Sequence, residues 1–290
     1  MESPGKGEIK AWLALGRPAN LPTIWSNCLA GWILGGDRHV GALLATALGA
    51  TCLYFGGVCL NDALDADHDR AQRPERPIPS GRIRAATAWR VGLGLLAFGF
   101  TLLALLGPPT VWFAILLLFF ILLYDLAHRR TQLAPLVMGA CRAGLYLVAA
   151  SAAAEGVQGL VVWSAFALGA YVAGVGFFAE GEARDRAAEL PHWPWLPLLA
   201  PILLALTANR GPYFDYALTL SLLMALWLLP LFAWQRRRPG GNPAFLIAGL
   251  HAGIALADAL AAAEAGGLFL LAFLALFALT LLGQRFLPSV

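Results

Sequence analysis

The chain has 290 residues and a formal net charge of +3; 59% of the residues are hydrophobic and 13% are charged, against about a quarter charged in a soluble domain. A water-soluble fold of this size cannot hide that much apolar surface, so lipid must cover part of it. The slight positive excess comes with no basic face carrying groove-reading or stacking elements, which argues against a nucleic-acid partner.

Residues 1–17 are polar overall and lead into no short apolar core with a small-residue cleavage site, so no cleavable signal peptide is expected. Ten apolar stretches then follow, at 20–36, 42–62, 86–106, 110–127, 134–153, 159–179, 194–208, 213–234, 243–263 and 266–284. Most reach the roughly 17–25 residues that cross a hydrocarbon core as helix. The seventh is short and rich in Pro and Trp, in keeping with an interfacial belt around His192. Leu and Ala dominate without period-two alternation, which excludes strands as the main element. The expected fold is all-α: one multi-span membrane helical bundle over residues 1–290, with nine or ten transmembrane helices. Cys28, Cys52, Cys59 and Cys141 fall inside these stretches with no C-x-x-C pair, and read as packing residues.

Arginine and lysine orient the bundle. With Met1 in the cytoplasm, the outward gaps hold only Arg38 and Arg210, while Arg70–Arg84, Arg129, Arg130, Arg184, Arg186 and Arg236–Arg238 fall inward. That asymmetry follows the positive-inside rule and favours the inner (plasma) membrane, with the charged loops cytoplasmic. Nine spans would leave Val290 outside; Arg285 favours ten and a cytoplasmic end.

The second stretch ends in Asn61-Asp62-Ala63-Leu64-Asp65-Ala66-Asp67-His68-Asp69-Arg70. On a continuing helix Asp62, Asp65 and Asp69 line one stripe beside Asn61, and Asp67 points elsewhere. Three carboxylates on one stripe repel and call for a counter-ion; hard oxygen donors suit Mg²⁺, which binds through a few carboxylates plus phosphate oxygens. The plainer alternative is a solvated acidic helix end, although acids there oppose the helix macrodipole. Next comes Arg73-Pro74-Glu75-Arg76-Pro77-Ile78-Pro79-Ser80-Gly81-Arg82, whose three prolines hold arginines in a constrained loop. Guanidinium groups match phosphate oxygens with paired hydrogen bonds.

N-D-x-x-D-x-x-x-D followed by R-P-x-R-P-I-P-S-G resembles the first signature of the UbiA superfamily of intramembrane prenyltransferases. Gly16-Arg17-Pro18-Ala19-Asn20 opens the first helix as in many relatives, and Tyr124-Asp125-Leu126-Ala127-His128-Arg129-Arg130-Thr131 resembles the family's Tyr-x-x-x-Lys-Arg-x-Thr, with His128 in place of lysine. The resemblance implies catalysis by Asp62, Asp65, Asp69 and Tyr124. It also implies substrate contacts from Asn61, Arg73, Arg76, Ser80, His128, Arg129, Arg142 and Asn20.

The family's second acidic motif, usually D-x-x-x-D, corresponds to Glu180-Gly181-Glu182-Ala183-Arg184-Asp185. Its position repeats that of the first motif four helices later, as expected of two related four-helix halves, about 20–153 and 159–284. Glu182 and Asp185 would complete the metal set; Gly181 stands where an acid would pair with Asp185, and Glu180 can pair with Arg184. This departure resembles divergent UbiA-like members from ebo-type bacterial gene clusters.

The resemblance implies transfer of a prenyl group from a polyprenyl diphosphate to an aromatic or other lipid-soluble acceptor, with Mg²⁺ and arginines easing departure of the diphosphate. Aromatic faces could shelter an allylic cation, the candidates being Trp25, Tyr54, Phe55, Phe119, Tyr124, Tyr171 and Phe177. Arg142 and Asp258 stand out as mid-span charges; for Asp258 a structural hydrogen bond to a neighbouring helix is an equal reading. Two alternatives stay open: a non-catalytic accessory or transport protein on the same scaffold, and a metal-dependent lipid phosphatase or CDP-alcohol-type transferase.

Overall fold

The fold comes from a computed structural model, described here for residues 4–37, 39–183, 193–237 and 243–287. The described residues form twelve α-helices and short 3-10 turns, with no strand: α1 Pro4–Gly16, α2 Leu21–Leu34, α3 Val40–Leu64, α4 Ala66–Gln72, α5 Ala85–Ala104, α6 Pro108–Ala127, α7 Ala134–Ser151, α8 Gly159–Ala183, α9 Ala200–Ala208, α10 Pro212–Arg237, α11 Pro243–Ala261 and α12 Gly267–Phe286. Eight of these, namely α3, α5–α8 and α10–α12, are long and apolar enough to cross a membrane. The chain is a multi-pass membrane protein.

The first and seventh expected spans are shorter. Pro18 and Pro22 set a 3-10 turn and then the start of α2, which keeps 14 residues, about 21 Å of helix against roughly 30 Å of hydrocarbon. In the seventh, prolines 194, 197 and 201 divide the segment into two 3-10 turns and the nine-residue α9. Ten spans would need both stretches to cross in full; among the described residues eight helices are long and apolar enough to do so.

Small residues set the packing, because lipid gives helices no hydrophobic reason to associate. α3 lies along α5 where Gly49 and Gly56 meet Gly99 and Gly92, and α7 meets α8 where Gly139 faces the Gly169 carbonyl. α2 presses Gly31 onto α7: a Cβ there would stand 2.7 Å from the Tyr146 carbonyl oxygen. α8 and α11 are the most enclosed spans, whereas α6 and α12 turn most of their surface outward.

Candidate active site

The acidic stripe is where helical geometry puts it. α3 ends at Leu64 and α4 begins at Ala66, yet Asp65 keeps right-handed backbone angles (φ −84°, ψ −6°). The amide N–H groups of Asp65 and Asp69 donate to the carbonyls of Asn61 and Asp65 at 2.9 Å each. The ladder thus passes through the break and the stripe survives. Asp62, Asp65 and Asp69 are buried; Asp67, off the stripe, has a side chain 94% exposed and pairs with Arg70 at 2.7 Å.

Three arginines and a histidine converge on the three acids. Arg17 ends α1 in the left-handed region (φ 46°) and donates from Nη2 to Asp62 Oδ1 at 2.7 Å. Arg76, from the proline-held loop, donates to Asp69 Oδ2 at 2.7 Å and lies 3.9 Å from Asp62 Oδ1. Arg129 reaches Asp65 Oδ1 at 2.8 Å and Asp69 Oδ1 at 3.4 Å. His128, just beyond α6, meets Asp65 Oδ2 through Nε2 at 3.0 Å and stacks on Tyr124. Burial lowers the His128 pKa, but the hydrogen bond and charge of Asp65 and two backbone carbonyls outweigh it and raise it overall. Burial likewise pushes Asp65 up, and His128 with Arg129 bring it below the ordinary carboxylate range.

Beside this cluster lies a cavity of about 330 Å³ among α2, α3, α6, α7, α8 and α11, within the range of small-molecule sites. Most of its wall is aliphatic, including Ile24, Leu53, Ile121, Leu145, Val172 and Ile254. Its polar groups are few: Arg17, Asn20, Tyr54, Asn61, Tyr124, Asp125, Arg142 and His251. Tyr54 OH accepts from Asn20 Nδ2 at 3.2 Å and donates to the Arg17 carbonyl at 3.0 Å, fixing the turn that carries Arg17. Asn61 Nδ2 donates to Asp125 Oδ1 at 3.3 Å.

Arg142 reaches the cavity from a buried polar network. Its Nη1 donates to Asn27 Oδ1 at 2.7 Å and its Nη2 to Thr23 Oγ1 at 3.1 Å. Asn27 donates in turn to both oxygens of Asp258, at 3.1 and 2.8 Å, and Ser26 and Tyr146 hydroxyls also donate to that carboxylate. The mid-span arginine and aspartate are thus joined through α2, and Asp258 has the structural hydrogen bonds that the plainer reading of it expects.

Other sequence-singled residues lie apart. Arg73 is exposed and outside these contacts, and Ser80 donates to the Pro77 carbonyl within its own loop. Among the aromatic candidates only Tyr54 and Tyr124 line the cavity. Tyr171 is buried on the Leu250 carbonyl, Trp25 bonds Thr51, Phe55 tilts against Tyr54, Phe119 is exposed and Phe177 meets Trp193. Glu182 is on the last turn of α8, but its side chain and all of Asp185 lie outside the described residues. Reading the sequence gave no site role to Arg17 or to Asp125, both quoted only within motifs, and missed His251 altogether. The available signal was a titratable residue at the end of, or inside, an apolar helix.

A membrane helical bundle with a buried acid–arginine cluster beside an apolar cavity defines the class: an intramembrane protein with a charged site at one end of its bundle. The UbiA prenyltransferase family pattern matches residues 19–257, and the chain belongs to that family. It is 38% identical to a digeranylgeranylglyceryl phosphate synthase of Ignicoccus hospitalis over 46% of this chain and 43% of that protein. It is 29% identical to a 4-hydroxybenzoate octaprenyltransferase of Azotobacter vinelandii over 82% of this chain and 88% of that one. The solved structure of a UbiA homolog from Archaeoglobus fulgidus bound to GPP and Mg²⁺ shares the fold, with TM-score 0.65 and 15% identity over 87% of this chain and 98% of that one.

Proposed function

We propose that this chain is a Mg²⁺-dependent prenyltransferase that moves a prenyl group from a polyprenyl diphosphate to a lipid-soluble acceptor. The observation that carries the reading is the contact of three buried carboxylates and their arginines with an apolar cavity, through Arg17 and Asn61. A hydrocarbon tail suits the aliphatic wall, and a diphosphate suits the guanidinium groups at its edge.

Among the described residues no three His, Cys, Asp or Glu side chains converge in metal-ligand geometry, because the carboxylates lie on arginines. Their chemistry still fits the ion: Asp62, Asp65 and Asp69 are hard oxygen donors. These three would hold Mg²⁺, with Glu182 and Asp185 as further ligands from the second motif. Bound there, Mg²⁺ supplies charge that offsets the departing diphosphate. Arg17, Arg76 and Arg129, released from the carboxylates, would grip phosphate oxygens. His128 keeps Asp65 ionised and oriented, and Tyr54 and Tyr124, which line the cavity, are the aromatic groups that would stabilise a developing allylic cation.

The arginine asymmetry supports an active site on the cytoplasmic side of the plasma membrane. A second reading, a non-catalytic prenyl-lipid binder, is favoured only by Gly181 in the second motif. Purified protein incubated with labelled geranylgeranyl diphosphate and either geranylgeranylglyceryl phosphate or 4-hydroxybenzoate tests the proposal. Diphosphate release and a prenylated product that both require Mg²⁺ support it. Tight binding without product supports the second reading.

A further inference from the structure

The cavity wall carries a second polar group, set apart from the acidic stripe. Arg142 lies about 12 Å along α7 from Ala134, lines the cavity and is only 9% exposed. A guanidinium carries five N–H groups. Here Nη1 donates to Asn27 Oδ1 at 2.7 Å and Nη2 to Thr23 Oγ1 at 3.1 Å, while Nε has no hydrogen-bond partner among the described residues and is not enclosed. Arg142 makes no ion pair among those residues: Asp62, Asp65, Asp67 and Asp69 all hold other cations. His251, on the same wall, stands with Nε2 3.4 Å from the Thr23 hydroxyl. Open donors at the wall of an aliphatic cavity call for a ligand that brings an acceptor atom. A prenyl chain has none.

The charge of that ligand follows from Asp258. One amide separates it from the guanidinium: Asn27 accepts from Arg142 and donates to both Asp258 oxygens, at 3.1 and 2.8 Å, and Tyr146 donates to Asp258 as well. Asp258 is fully buried and has no ion pair of its own among the described residues. Arg142 and Asp258 therefore balance each other inside the bundle, where an unmatched charge is costly. An anion on Arg142 would leave one negative charge unbalanced. A neutral oxygen satisfies the open N–H groups and adds no charge. Resting on the prenyl-transfer reading, we infer that Arg142 holds a neutral carbonyl oxygen of the acceptor, and that Asp258, acting through Asn27, selects against acidic acceptors.

The test is binding by isothermal titration with neither prenyl diphosphate nor Mg²⁺ present, so its failure strikes this site alone, whereas failure of the transfer assay strikes the prenyl-transfer reading. Three probes share one ring: methyl 4-hydroxybenzoate is neutral with a carbonyl, 4-hydroxybenzoate is ionised at neutral pH, and phenol has neither group. Wild type should bind the ester at least about tenfold more tightly than the acid. An apolar cavity alone also prefers an ester, so the variants decide. Asp258→Asn leaves Arg142 unbalanced and should shift the ester-to-acid affinity ratio at least about tenfold toward the acid. Arg142→Gln should weaken the ester at least about fivefold and leave phenol within about twofold of wild type. An unchanged ratio in Asp258→Asn overturns selection by charge. Unchanged ester affinity in Arg142→Gln, phenol weakened as much as the ester, or a wild type that binds the acid as tightly as the ester or fails to bind the ester overturns the site. Should a single variant not fold because it strands a buried charge, Arg142→Gln combined with Asp258→Asn removes both charges together. It should bind phenol as wild type does and the ester at least about fivefold more weakly; equal ester affinity overturns the inference.

Discussion

Arg17 Nη2 lies 2.7 Å from Asp62 Oδ1, joining the end of α1 to the end of α3 across 45 residues of sequence. The pair is enclosed, with side-chain exposures of 21% and 6%, so each charge depends on the other. Arg17→Ala leaves Asp62 only Arg76 at 3.9 Å. Breaking a buried pair from one side costs more than the pair itself contributes; discounted for the partial exposure of Arg17, the expected loss is about 1–3 kcal/mol. Adding Asp62→Asn should recover part of it. A double-mutant cycle on thermal unfolding in detergent checks this coupling.

Asp258 should be the most sensitive polar position in the bundle. Its carboxylate gathers donors from Ser26, Asn27 and Tyr146, on two other helices. Ser26→Ala removes one interhelical bond, expected to cost about 0.5–1.5 kcal/mol in lipid or detergent. Asp258→Ala orphans the Asn27 amide and the Tyr146 hydroxyl, while Ser26 keeps the Thr23 carbonyl, and should cost at least about twice as much. Comparing the unfolding midpoints of the two variants tests the ranking.

Glycine positions give a contrast of sign. Gly31→Ala places a methyl 2.7 Å from a backbone oxygen and 2.8 Å from the Ala149 methyl, and should destabilise the α2–α7 contact by about 1–3 kcal/mol. Gly94 sits in α5 with open space around its would-be Cβ, so Gly94→Ala should stabilise by about 0.5–1 kcal/mol. Thermal melts of the two variants should move in opposite directions.

The two acidic motifs should contribute unequally. The first offers Asp62, Asp65 and Asp69, buried on one helical stripe, whereas the second has glycine at 181 between Glu180 and Glu182. Asp65→Ala is expected to cost much more Mg²⁺-dependent affinity for prenyl diphosphate than Glu182→Ala or Asp185→Ala. Isothermal titration of the three variants measures it, and Gly181→Asp should tighten Mg²⁺ binding.

Much of this architecture is written in local patterns. Apolar runs of span length marked the long helices, and the i, i+3, i+7 spacing marked Asp62, Asp65 and Asp69 as one stripe with Asp67 outside it. The proline loop marked its arginines as constrained; the structure brings Arg76 onto Asp69 and leaves Arg73 exposed. Contacts between distant segments were not legible. Nothing in the sequence near Arg17 tells that the left-handed turn after α1 aims it at Asp62, and Asn27 gave no sign that it bridges Arg142 to Asp258. Asp125 was hidden differently: it lies inside a segment whose resemblance drew attention to Tyr124, His128 and Arg129. The shortness of α2 follows from Pro18 and Pro22, which a hydropathy window averages away.

The most direct test of the central claim is a titration of geranylgeranyl diphosphate, with and without Mg²⁺, into wild type, Asp62→Ala, Asp65→Ala and Asp67→Ala. Wild type and Asp67→Ala should bind alike and only with Mg²⁺, since Asp67 faces outward on Arg70. Asp62→Ala and Asp65→Ala should each lose at least about tenfold in affinity, or about 1.4 kcal/mol, and most of the Mg²⁺ dependence. Binding that ignores Mg²⁺, or that Asp67→Ala abolishes while Asp62→Ala preserves it, would contradict the assignment of the buried stripe as the diphosphate site.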